Sequence, residues 1–175
     1  DDYWKLHRLF LPTQEQRSAP PNLYDPLLGW RIPAIGADYD HEGRGRIGDR
    51  RPFLVYGSSY CGDPAFDAAF EGSELARSYH LVNYAVGGFG ADQVYLLLQE
   101  SLDHFAGLRP VVAIGLVVNG DFDRAALSFR YWPKPAFSVA ADGRLVCSEG
   151  PLPSVREYLE RRPPEITSYF LRALI

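Results

Sequence analysis

Two adjacent serines, Ser58 and Ser59, follow the apolar run Phe53-Leu54-Val55-Tyr56 and a chain-stopping Gly57, and a helical pattern opens soon after at Pro64. A strand that ends at a glycine, presents a hydroxyl and gives way to a helix N-terminus is how α/β proteins display a nucleophile or hold an anion. Two comparable turns come later. Gly87-Gly88-Phe89-Gly90 follows HLVNYAV (residues 80–86), and Asn119-Gly120-Asp121 follows VVAIGLVV (residues 111–118). Gly87-Gly88 can offer an open backbone N–H and Asn119 a side-chain amide. A hydroxyl flanked by such donors meets the requirement of acyl transfer, because the donors stabilise the charge that develops on an attacked carbonyl oxygen. Each turn also has a plainer reading. The serines can form a turn and helix cap, the glycines a tight strand-to-helix turn, and Asn119 a cap with Asp121. The three together favour a site.

The elements that must position these turns are legible as periodicity. Residues 53–56 read as a strand and residues 64–79 as a helix weakened at Gly72-Ser73. Residues 80–86 read as a second strand. A stronger helix spans residues 91–105, with Val94, Leu97, Leu98, Leu102 and Phe105 as its core stripe. Residues 111–118 are apolar throughout, which predicts a central parallel strand buried on both faces. Strand–helix–strand–helix–strand with short glycine-rich turns predicts a doubly wound parallel sheet, whose ligands bind at the carboxyl ends of the strands. All three turns lie at those ends. Beyond them, residues 137–140 and 144–147 flank Asp142-Gly143, a two-residue hairpin turn. Ser154 with Glu157 predicts a capped helix to Arg162, and a last helix is expected over residues 165–175. Before the first strand, residues 1–52 form a proline-punctuated leader with a short amphipathic start and a compact aromatic turn, YDPLLGW, at residues 24–30.

A net charge of −4 leaves no basic footprint, so nucleic acid is not an expected partner. No apolar run approaches a membrane span. Cys61 and Cys147 fit no metal-ligand spacing and read as two free buried thiols, Cys61 as a small packed residue. Phe129, Tyr131 and Trp132 can line a carbohydrate rim or, more simply, pin a long loop.

Three blocks together resemble the SGNH (GDSL-type) hydrolases, serine esterases and acyl-transfer enzymes. These are FLVYGSSYCGD (residues 53–63), VNYAVGGFGADQ (82–93) and VVAIGLVVNGDF (111–122), and YDPLLGW and FRYWPKPAFSV look like extracytoplasmic bacterial members of the group. The resemblance implies a flavodoxin-like three-layer α/β/α sandwich over residues 53–175, with Ser59 as nucleophile and second and third oxyanion donors from Gly88 and Asn119. It implies a small-molecule or glycan ester as substrate, no cofactor and an extracytoplasmic location. Ser58 stands where the family has Asp, Gly120 separates Asn119 from Asp121, and no histidine follows His104 for the Asp-x-x-His block. The expectation is therefore a domain whose C-terminal strands and catalytic histidine lie outside this chain. The alternatives are a non-catalytic module of the same type that binds a glycan or partner, and a flavodoxin-like phosphate binder.

Overall fold

A computed structural model describes residues 2–9, 24–30, 49–130 and 132–165. In chain order the elements are helix α1 (Asp2–Leu9), the short strands β1 (Tyr24–Asp25) and β2 (Gly29–Trp30), strand β3 (Arg51–Gly57), helix α2 (Pro64–Glu71), strand β4 (Tyr79–Asn83), helix α3 (Ala91–Leu102), strand β5 (Val111–Gly115), the strands β6 (Ala136–Val139) and β7 (Leu145–Glu149), and helix α4 (Val155–Arg161). They gather into two units, Arg31–Ala126 and Asp1–Trp30 with Leu127–Ile175. The helix expected at residues 165–175 lies, beyond Glu165, outside the described residues.

The unit of Arg31–Ala126 is a mixed α/β body around a three-stranded parallel sheet in the order β4-β3-β5. Phe53 pairs with Leu81 on one side and Val111 on the other, which fixes the register of all three strands. Side chains three positions apart on a strand point to opposite faces. On one face of β3, Phe53 meets Phe70 of α2, with ring centroids 5.2 Å apart. On the other, the Tyr56 hydroxyl bonds Ser101 Oγ of α3 at 2.8 Å, and Tyr56 stacks on Tyr84. Helices therefore cover both faces of the central strand.

The order of the strands overturns one expectation. Residues 111–118 do not form a strand buried on both faces. β5 stops at Gly115 and lies at the sheet edge, with no strand beyond it among the described residues, so Ile114 is 51% exposed and Val112 is exposed beside it. β4 also ends early, at Asn83, although Tyr84 and Val86 still donate to Val55 and Gly57 of β3 at 2.7 and 3.1 Å. The helix expected over residues 64–79 breaks at Gly72-Ser73. Ser73 Oγ donates back to the Phe70 carbonyl and accepts from Leu75 N–H, ending α2 and opening a short 3-10 turn, Glu74–Arg77. On α3 the buried face centres on Gln93, Val94, Leu97 and Ser101, while Leu102 is exposed. Two of those positions are polar, so hydrophobic periodicity alone placed the stripe slightly off its true centre.

The second unit is held by Phe129, which stacks on Tyr158 of α4, with Trp4, Trp132, Leu152 and Leu159 packed around them. Trp132 also packs on Trp30. Phe129 is fully buried, so it pins its loop and lines no rim. Ser154 caps α4 as its spacing predicts, accepting from Glu157 N–H at 3.3 Å. β6 and β7 pair antiparallel, but their loop has three residues, not two: Ala140 and Arg144 close it with an N–H to carbonyl bond of 2.8 Å. Gly143 takes a positive φ there, as the third residue of such loops does.

Candidate functional site

The turn after β3 is built from its own backbone. The Ser58 carbonyl accepts N–H bonds from both Cys61 and Gly62 at 3.1 Å, which folds residues 58–62 into a tight knuckle. Asp63 then caps α2, its carboxylate accepting from Ala65 N–H at 2.8 Å, with Pro64 at the first helical position where a missing N–H costs nothing. Asn83, at the end of β4, clamps the knuckle from the side. Its amide donates to the Cys61 carbonyl at 2.8 Å and to Asp67 Oδ1 at 2.6 Å, while its Oδ1 accepts from Ala85 N–H.

Within this knuckle the two serines face opposite ways. Ser58 is 1% exposed, and its hydroxyl donates to Asp121 Oδ2 at 3.1 Å. Ser59 is exposed, with no hydrogen bond to its hydroxyl among the described residues. Gly87 is its neighbour; a Cβ built there would lie 3.9 Å from Ser59 Cβ. The closeness follows from the Val86 N–H to Gly57 carbonyl bond, which ties the second turn to the end of β3. Gly88, next along, is buried at φ +87°, a conformation that a side chain would strain.

The third turn arrives differently. Val118–Phe122 is a single wide π-helical turn, a form often found at functional sites. It swings Val118, Asn119 and Phe122 outward and Asp121 inward. Asn119 is exposed and makes no hydrogen bond to Ser59 or Gly88 among the described residues. The residue that this turn sends into the cluster is Asp121, 1% exposed. It accepts from Ser58, from Val117 N–H at 2.8 Å and from Arg124 at 2.6 Å. Arg124 also donates to the Phe89 carbonyl at 3.3 Å, so one ion pair, buried at Asp121 and half-buried at Arg124, ties all three turns together. The i, i+3 spacing of Asp121 and Arg124 was the signal available in sequence for this pair; nothing there separated it from a surface ion pair.

Cys61 is the half-buried packing block beneath the knuckle, whereas Cys147, expected to be buried, is exposed on β7. Gly57 and Gly115 are paired across β3 and β5, and a Cβ on Gly115 would meet Cys61 Sγ at 2.3 Å. Gly115→Ala is expected to lose about 1–3 kcal/mol through overpacking, measured by hydrogen exchange of the β3 amides, and Cys61→Ala in the same chain should restore much of it. Burial first and the Asp121 charge second raise the Cys61 thiol above its ordinary pKa. Deprotonation is thus disfavoured by folding. The resulting stability is present below the ordinary thiol pKa and lost as pH climbs through the raised one. Alkylation of Cys61 followed against pH by mass spectrometry should accordingly have its midpoint above that of the unfolded chain.

Neither described histidine of this unit stands by Ser59. His80 pairs with Pro52 near the start of β3, about 16 Å along the strand from Gly57, and bonds Arg50. His104 lies beyond the C-terminal end of α3, whose N-terminal end at Gly90 is the one that joins the turns. Among the described residues no cluster of His, Cys, Asp and Glu is arranged to hold a metal ion, and no helix is long and apolar enough to cross a membrane. The chain matches no protein-family model, no curated protein and no solved structure.

Proposed function

We propose that this chain carries the nucleophile and oxyanion side of a serine ester hydrolase or acyl transferase of the SGNH type, on a flavodoxin-like three-layer sandwich, acting on a small-molecule or glycan ester. The observation that supports it most is the division of labour between the paired serines. Ser58 is spent on the buried Asp121 network, which leaves Ser59 exposed on a rigid knuckle beside Gly87 at the carboxyl edge of a parallel sheet. In this reading Ser59 Oγ attacks the ester carbonyl, and its proton passes to a base outside the described residues. The oxyanion is received by the Ser59 N–H, the Gly87-Gly88 turn and Asn119 brought inward by substrate. Collapse of the intermediate expels the alcohol, which takes up the proton, and water or a second alcohol then attacks the acyl-serine.

The test is hydrolysis of several acetyl esters, acetylated sugars among them, by the protein in its full gene-encoded length. Activity that falls to the uncatalysed level in Ser59→Ala supports the reading. Equal rates in parent and variant, or no turnover of any ester, would overturn it. A non-catalytic ester- or glycan-binding module is the second reading. It is favoured by the exposed Asn119, which stands off from the serine, and it predicts saturable ligand binding without turnover.

A further inference from the structure

Ser59 lies on a short span that is pinned at both ends. At one end the Ser58 hydroxyl donates to Asp121, a residue of the third turn. At the other, the Cys61 carbonyl accepts from the Asn83 side-chain amide at 2.8 Å. Asn83 closes β4 and is buried, and its Oδ1 accepts from Ala85 N–H at 3.0 Å, two residues before Gly87. One planar amide therefore touches both the turn that presents Ser59 and the backbone that leads into Gly87-Gly88. The two backbones also approach closely, since a Cβ on Gly62 would lie 3.1 Å from the Ala85 carbonyl oxygen.

The sense of this amide is set from α2. Its NH2 group sits between two acceptors, the Cys61 carbonyl and Asp67 Oδ1, the latter at 2.6 Å. Turned over, the amide would set its oxygen against both of them and its NH2 against the Ala85 N–H. The Asp67 carboxylate thus holds the bracket in the one sense that joins the two turns. The Val86 N–H bond to the Gly57 carbonyl joins the second turn to the strand beneath Ser59, whereas the Asn83 bracket joins it to the knuckle itself. An ester carbonyl must meet a hydroxyl and its oxyanion donors at once, and a misplacement of about 1 Å costs on the order of 100-fold in rate.

We infer that Asn83, oriented by Asp67, is a positioning residue that sets the spacing between Ser59 and the Gly87-Gly88 donors. This role rests on the reading of Ser59 as an ester nucleophile. The test measures kcat and KM on an acetyl ester with the full gene-encoded protein, at a temperature where hydrogen exchange of the β3 amides shows every variant folded. Asn83→Ala should lower kcat about 100-fold while KM stays within about 2-fold, because the donors and the hydroxyl no longer meet the carbonyl together. Asp67→Ala should lower kcat about 10-fold, and Asp67→Asn, which keeps an acceptor oxygen, should stay near the parent. Asp67→Ala added to Asn83→Ala should lower kcat no further, since the carboxylate acts through the amide. Ser73→Ala, which loosens the other end of α2, should leave kcat within about 2-fold, so that lost packing alone does not reproduce the effect. If the parent shows no Ser59-dependent turnover, Ser59 is not the nucleophile and Asn83 has nothing to position, so both readings fall. If the parent is active but Asn83→Ala keeps kcat within about 3-fold, or Ser73→Ala loses as much, or the losses at Asn83 and Asp67 simply add, Ser59 keeps its role and the one assigned to Asn83 is overturned.

Discussion

Asp121→Ala is expected to cost about 3 kcal/mol of the stability of the unit that holds the sheet, the low end of the range for removing one partner of a buried ion pair, because the Arg124 side chain keeps 20% of its surface in solvent. The change leaves Arg124 facing the Phe89 carbonyl without its carboxylate, strips Ser58 and the Val117 N–H of their acceptor, and unties the three turns from one another. Asp121→Asn should recover part of the loss, since one oxygen still accepts. It also removes the negative charge that helps to raise the Cys61 thiol, so alkylation of Cys61 at a fixed mildly alkaline pH should become faster. The choice of probe matters, because all three tryptophans, Trp4, Trp30 and Trp132, belong to the other unit. Intrinsic tryptophan fluorescence is therefore a poor reporter here. Hydrogen exchange of the β3 amides and protection of Cys61 are suitable ones, and an Asp121→Ala chain that matches its parent in both would refute the role of the network.

The paired serines provide the second large contrast. Ser58→Ala should destabilise the protein by about 1–3 kcal/mol, because a buried carboxylate loses a hydroxyl donor and nothing replaces it. Its effect on ester turnover should follow only from that loosening. Ser59→Ala should change stability by no more than about 0.5 kcal/mol, as an exposed side chain without partners does, and should abolish ester turnover if Ser59 is the nucleophile. The two substitutions thus separate structure from chemistry at neighbouring positions. If Ser58→Ala removed activity at full stability while Ser59→Ala retained it, the assignment of the serines would be reversed.

Much of the sheet unit was legible in the residues. The glycines at 57, 87, 88 and 90 and Pro64 at the start of α2 mark chain reversals whose chemistry is local, and β3, α2, β4, α3 and β5 each begin within two residues of where periodicity puts them, though α2, β4 and β5 end earlier. What was not legible depended on neighbours distant in sequence. A run such as VVAIG looks the same whether a strand flanks it on both sides or on one, so the edge position of β5, and with it the exposure of Val112 and Ile114, was hidden. Ser101 and Gln93 belong to the buried face of α3 for the hydrogen bonds they make, to Tyr56 and to the Gly90 N–H, and no hydrophobicity pattern reports such bonds. The site shows the same division. Ser59 and the Gly87-Gly88 turn were readable as a pair of loops that converge, and the structure sets Ser59 against Gly87. The role of Asp121 as the residue joining all three turns was not readable, because Asn119 was the more obvious donor and the π-helical turn that exchanges them leaves no mark in the sequence.

The position of β3 between two parallel partners bears on how this unit is made. β4 and β5 each pair with β3 and not with each other, and every rung joins residues far apart along the chain, Arg51 to Tyr79 and Phe53 to Val111. Among the described residues of this unit no hairpin is available as a nucleus, so closure entropy must be met before the sheet contacts repay it, and slow folding follows. The Ser58–Asp121 bond spans 63 residues and cannot form until β5 has docked. A refolding chain should therefore acquire the helicity of α3 early and the bond between the first and third turns in its last step. The geometry around Ser59 is then a property of the finished unit alone, present in none of its intermediates.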